Sequence, residues 1–117
     1  MHTKLNISCW WTVIIFPLCL LFCMAASAST VVQISGGGFH SLALKSDGTV
    51  WAWGLNIHGQ LGDGTNTDRK MPVRVKELGN VTAVAGGVWH SIALKSDGTV
   101  WAWGSNWAGQ LADGTTR

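Results

Sequence analysis

Between Ser41 and Gly54, apolar and small residues alternate in two short runs separated by Ser46-Asp47-Gly48-Thr49. Leu42 and Leu44 fall on one side of the first run, and Ser41 and Ala43 on the other. In the second run Val50 and Ala52 point one way, Trp51 and Trp53 the opposite way. Two period-two runs joined across Asp-Gly predict a β-hairpin, with Gly48 supplying the positive φ of the turn. Residues 31–35 and 71–75 predict two further short strands, and Pro72 suits the latter to an edge or a strand start. Nothing in this stretch has helical spacing of adequate length, which excludes a helical solenoid.

The same pattern returns at an offset of fifty. Residues 31–67 align with 81–117, and 24 of these 37 positions are identical. The block from His40 to Gly54 reappears as His90 to Gly104 with a single change, Leu42 to Ile92. A second block, Gly59 to Thr65, reappears as Gly109 to Thr115 with Ala112 in place of Gly62. A period near fifty points to stacked units rather than to a single-core fold. A half-solvated sheet would carry polar residues at every second position, and this hairpin does not. Small residues on one side and indoles on the other predict sheets covered on both faces, as in the radial stacking of propeller blades. The second copy lacks a counterpart of residues 71–75, so its outermost strand is expected to be missing.

The first 28 of the 117 residues differ in kind. They hold all three cysteines, no acidic residue, and an apolar run bounded by His2 and Lys4 on one side and Ala26-Ser27-Ala28 on the other. A short basic flank, a short apolar region and small residues at the cut describe a secretory signal peptide cleaved after Ala28. The alternative is an uncleaved membrane anchor over residues 9–26, near the lower length limit for a spanning helix. Cys9, Cys19 and Cys23 have neither partners nor metal-ligand spacing and read as apolar filler. The remaining 89 residues carry all fifteen glycines and six of the eight tryptophans, with seven Lys/Arg against six Asp/Glu. That balance excludes a basic nucleic-acid-binding tail. The absence of cysteine there excludes a disulfide scaffold.

The repeated marks resemble the repeat of the regulator-of-chromosome-condensation family. They are Gly36-Gly37 with His40, the Asp47-Gly48 turn, Trp51, Trp53 and Gly54, then Asn56 and Gly59-Gln60-Leu61-Gly62. Their mates are Gly86-Gly87, His90, Asp97-Gly98, Trp101, Trp103, Gly104, Asn106, Gly109, Gln110 and Leu111. The resemblance implies an all-β fold: a partial β-propeller of about two four-stranded blades from a seven-bladed ring, behind an N-terminal apolar helix. Behind the leader (1–28), it divides the chain into a first repeat (29–80) and a second, incomplete repeat (81–117). It also implies protein binding through loops, and the leader points to the secreted bacterial-type branch. Contact residues of exchange factors or enzyme inhibitors in that family do not transfer, because the matched positions are framework.

Two blades with one shared interface leave a face of each uncovered, and stacked repeats need neighbours or polar caps. Three accounts follow: a truncated product or the first piece of a longer frame, assembly with further blades or copies in trans, or a marginal two-blade domain prone to association.

Candidate chemistry is sparse. His40 and His90 lack the cysteine or acidic company that a metal would need, and hydrogen bonds at a blade junction explain them better. Asp47, Asp97, Asp63 and Asp113 all precede glycine, in a spacing that matches no calcium loop, and read as turn residues. Gly36-Gly37-Gly38 is followed by neither Gly-Lys-Ser/Thr nor a helix start, so it is no phosphate cradle. Asn80-Val81-Thr82 fits a glycosylation acceptor, relevant only in a eukaryotic source. The charged run from Asp68 to Glu77 reads as a solvated outer edge. No catalytic, cofactor or metal site is expected.

Exposed positions that differ between copies are the better candidates. Leu55, Ile57 and His58 become Ser105, Trp107 and Ala108 in the loop after the Trp-Ala-Trp-Gly strand. Loops of a propeller are free to vary partner contacts. Trp107 is the expected anchor, its alternative being inter-blade packing, and His58, without a mate, is expected to be an exposed loop residue. The expected function is therefore that of a non-catalytic, protein-binding propeller module, secreted or at the cell surface, with an unidentified protein partner, no nucleic acid, and a membrane only through an uncleaved leader. The alternatives are the non-catalytic part of a larger extracellular enzyme and an exchange-factor-like regulator.

Overall fold

A computed structural model describes residues 28–117. The expected leader, its alternative reading as an anchor over 9–26 and the N-terminal apolar helix lie outside the described residues. Among those described, no helix is long and apolar enough to cross a membrane.

Among the described residues, seven strands form two antiparallel sheets. The first runs in the order β1 (Val31–Gly36), β2 (His40–Lys45), β3 (Val50–Gly54) and β4 (Arg69–Arg74). The second holds β5 (Val81–Gly86), β6 (His90–Lys95) and β7 (Val100–Gly104). Among the described residues it has three strands, not four. The predicted hairpin forms, and in it Leu42 faces Ala52, Leu44 faces Val50, and Ala43 faces Trp51. Gly48 turns the hairpin at φ 80°, and Asp47 Oδ1 accepts both the Thr49 amide (3.0 Å) and its hydroxyl (2.6 Å). The fourth strand starts two residues earlier than predicted, since Arg69 pairs with Gly54.

One face of each sheet meets the other sheet. Leu42, Leu44, Val50 and Ala52 of the first pack against Val84, Ala93 and Trp103 of the second, with Leu61, Val75 and Leu78 closing the core. The larger aliphatic side chains of one blade therefore sit on a face of the next that holds small residues and indoles together, where the sequence pattern set them on opposite sides. Backbones approach closely here: a Cβ on Gly86 would lie 2.8 Å from the Gly37 nitrogen. Polar groups knit the seam as well. Gln33 exchanges two hydrogen bonds with the Val84 backbone, each 2.9 Å, and Ser35 Oγ accepts the Gly86 amide at 2.9 Å.

Candidate partner-binding surface

The chain reverses at one end of each blade between β1 and β2, and between β5 and β6. The segments leaving β3 and β7 emerge at that same end, because adjacent strands are antiparallel. These four segments carry every varied position between the two copies that bears an aromatic ring.

The loop after β3 is fixed by a buried asparagine. Asn56 is fully buried; its Nδ2 lies within hydrogen-bond reach of Asp63 Oδ1 and of the Thr65 and Thr67 carbonyls, and its Oδ1 accepts the Leu61 amide at 2.9 Å. Gln60 Oε1 accepts the His58 amide at 2.9 Å. Asp63 is more than the turn residue expected. It is 6% exposed and ion-pairs with Arg69 Nε at 2.9 Å. Burial raises its pKa, but hydrogen bonds from the Thr65 hydroxyl and amide, Arg69 and Asn56 outweigh this and hold it at about 2. Asp68 likewise accepts the Asn56 backbone amide, at 2.8 Å, while the charged residues of its run stay exposed apart from the half-buried Arg69. The loop after β7 repeats the device around Asn106, with Asp113 and Thr115 as acceptors. Ala112 takes φ 56° where Gly62 takes 65°, so the copy keeps the turn without the glycine.

These loops present a strip of rings. Phe39 stacks on Trp89 with centroids 4.9 Å apart. His58 stands edge-on to both Trp89 (5.4 Å) and Trp107 (5.3 Å). Phe39 is 59% exposed and Trp107 70%, and Ile57 beside them is also exposed. His58 is therefore not a free loop residue, as the sequence implied, but a half-buried wedge between two indoles. Leu55 is half-buried, and Ser105 is buried at 4% exposure, its amide donating to the Trp89 carbonyl. Of the five loop positions, Ile57, His58 and Trp107 share the exposed strip. Phe39 and Trp89 escaped the sequence reading, although they too occupy one repeat position with different residues in the two copies.

The framework residues serve the seam and the hairpins. His40 Nε2 lies 2.8 Å from Ser91 Oγ across the junction, and Ser91 Oγ in turn donates to the Gln60 carbonyl at 2.8 Å. Trp103 Nε1 donates to that same carbonyl at 2.9 Å. Trp51 and Trp101 donate to the Thr49 and Thr99 hydroxyls and lie under the Lys45 and Lys95 ammonium groups. Trp53 lines a groove on the outer side of the first sheet. Gly54 and Gly104 take φ near 110°, and Gly98 and Asp97 repeat the turn of the first hairpin. The His90 ring lies against Gly87. Among the described residues no group of three His, Cys, Asp or Glu side chains could hold a metal.

Comparison with known proteins agrees with this geometry. The ultraviolet-B receptor UVR8 of Arabidopsis thaliana is 50% identical over 52 residues, 44% of this chain and 12% of that protein. The human E3 ubiquitin-protein ligase HERC2 is 44% identical over 48 residues, 41% of this chain and 1% of the ligase. Among solved structures, human WBSCR16 superposes with a TM-score of 0.68 at 33% identity, over 75% of this chain and 23% of that one. Prp20p of Saccharomyces cerevisiae superposes with a TM-score of 0.66 at 23% identity, over 74% and 23%, which speaks for the fold alone. The chain thus spans a small part of each relative. One family pattern, the regulator of chromosome condensation (RCC1) repeat, matches residues 47–94, and a second of the same description matches residues 31–60 and 81–110. With two successive blades and both copies of the motif matched, the chain belongs to the RCC1 repeat family.

Proposed function

We propose that this chain is a non-catalytic, protein-binding segment of a β-propeller that acts outside the cell or at its surface. The observation that carries the binding role is the strip Phe39–Trp89–His58–Trp107. Phe39 and Trp107 are exposed at its ends, Trp89 and His58 are half-buried between them, and the loops that carry His58 and Trp107 are fixed by the buried Asn56 and Asn106 hubs. Rigid aromatic rings offer large contact area at low entropic cost, and such side chains are enriched among binding hot spots. Related propellers lend the reading support: the structure of Prp20p is reported together with its binding to Gsp1p and histones. Export rests on the signal-peptide pattern of residues 1–28. A role as the non-catalytic part of a larger enzyme is the second reading, favoured by the similarity to HERC2, in which the matched stretch is 1% of the ligase.

Selection of a displayed peptide library against the chain tests the binding role. Enriched peptides should lose at least tenfold in affinity on Trp107→Ser or Phe39→Ser, with the circular dichroism spectrum unchanged. Enrichment indifferent to both substitutions would contradict it. Export is tested by N-terminal sequencing of material released from cells: a start at Ser29 supports it, and an intact Met1 opposes it.

A further inference from the structure

The two faces not used in the seam are copies of the two faces that are. In the first sheet Ile34 and Trp53 lie on the uncovered side; their counterparts fifty residues on, Val84 and Trp103, belong to the seam surface of the second sheet. In the second sheet Leu94 and Val100 lie on the uncovered side; their counterparts Leu44 and Val50 are the seam surface of the first. Exposure shows the difference in position: Ile34 is 75% exposed against 5% for Val84, and Val100 is 67% exposed against 0% for Val50. Each open side holds a groove, about 460 Å³ beside Ile34 and Trp53 and about 210 Å³ beside Leu94 and Val100.

We propose that these two faces dock onto each other between copies of the chain, the Leu94/Val100 face of one copy seating on the Ile34/Trp53 face of the next in the register of the internal seam. The occupant is a second copy because the chain already displays this interface, filled, between its own two blades. The polar groups match as well as the apolar ones. The internal seam uses Ser91 Oγ and Trp103 Nε1 on one side, and His40 Nε2 and the Gln60 carbonyl on the other. The open faces carry the same groups one repeat away, Ser41 and Trp53 on one, His90 and Gln110 on the other. The contact is heterologous, so the open faces at the two ends of a pair remain available to further copies. It is also weaker than the internal seam. Ala83 and Ala85 stand where Gln33 and Ser35 make three hydrogen bonds, and Val88 stands where Gly38 lets the backbones approach. This association involves the sheet faces and goes beyond the loop-borne binding proposed above.

Sedimentation velocity on the full chain tests it, with Ile34→Glu and Val100→Glu placing a charge on one open face each. Both positions are exposed, so neither change disturbs the fold, which circular dichroism verifies. The wild type should grow in mass with concentration, and each variant alone should sediment as a monomer. An equimolar mixture should form a dimer and stop there, since one intact face of each kind remains. Ala83→Gln with Ala85→Ser should tighten wild-type association roughly tenfold. A wild type that stays monomeric, variants that associate as the wild type does, or a mixture that stays monomeric would each overturn the proposal. Loss of peptide binding on Trp107→Ser leaves these outcomes unchanged, so the two readings fail separately.

Discussion

His40 shows how one side chain can be assigned a protonation state from its neighbours. The Ser91 hydroxyl has one proton, and it is directed at the Gln60 carbonyl, which can only accept. His40 must therefore donate from Nε2, and its buried Nδ1, which has no partner among the described residues, is left unprotonated. Charging this ring would place a second N–H where nothing accepts it. Burial and then the nearby His90 lower the His40 pKa below 6.5. The sign of the linkage follows: the unfolded chain binds the proton more readily, so stability is full above pH 6.5 and falls as the pH drops below it. Asp63, held at about 2, lies well below that window, and Asp47, Asp97 and Asp113 are lowered by hydrogen bonds from Thr49, Thr99 and Thr115. The melting temperature should fall between pH 7 and pH 5, and His40→Gln should flatten that slope. A melting temperature that is level or rising toward pH 5 in the wild type would rule out the assignment.

At the scale of elements, the hairpins were fully legible. Period-two alternation around Asp47-Gly48 and Asp97-Gly98 dictated strand identity and the side of each residue, because both features are local. The loops were less so. Asn56 was visible as a repeated letter, but its role depends on Leu61, Asp63, Thr65 and Thr67 folding back around it, and no local rule specifies that closure. The same holds for His58. Its ring is covered by Trp89, thirty-one positions away, which belongs to the neighbouring blade. Comparison of the copies position by position did single out Ile57, His58 and Trp107. Extended to Phe39 and Trp89, the same comparison recovers the whole aromatic strip. Ser105 marks its limit, since variation between copies does not distinguish an exposed position from a buried one.

For the molecule as a whole, the repeats have nearly the same sequence but different surroundings, and position in the stack decides what each residue contributes. The sheet that presents Leu44 is covered by its neighbour, whereas the identical side of the next sheet is open. Leu44 is 2% exposed and Leu94, its mate, 40%. A stack of this kind derives its stability from interfaces between units as much as from the units themselves. The most direct test is chemical denaturation of Leu44→Ala and Leu94→Ala side by side, in dilute solution where copies do not associate. Emptying a packed seam should make Leu44→Ala cost about 2–5 kcal/mol. The same change on an open face should make Leu94→Ala cost less than about 1 kcal/mol. Equal losses at the two positions would mean that the sheets do not share a core, and would contradict the account.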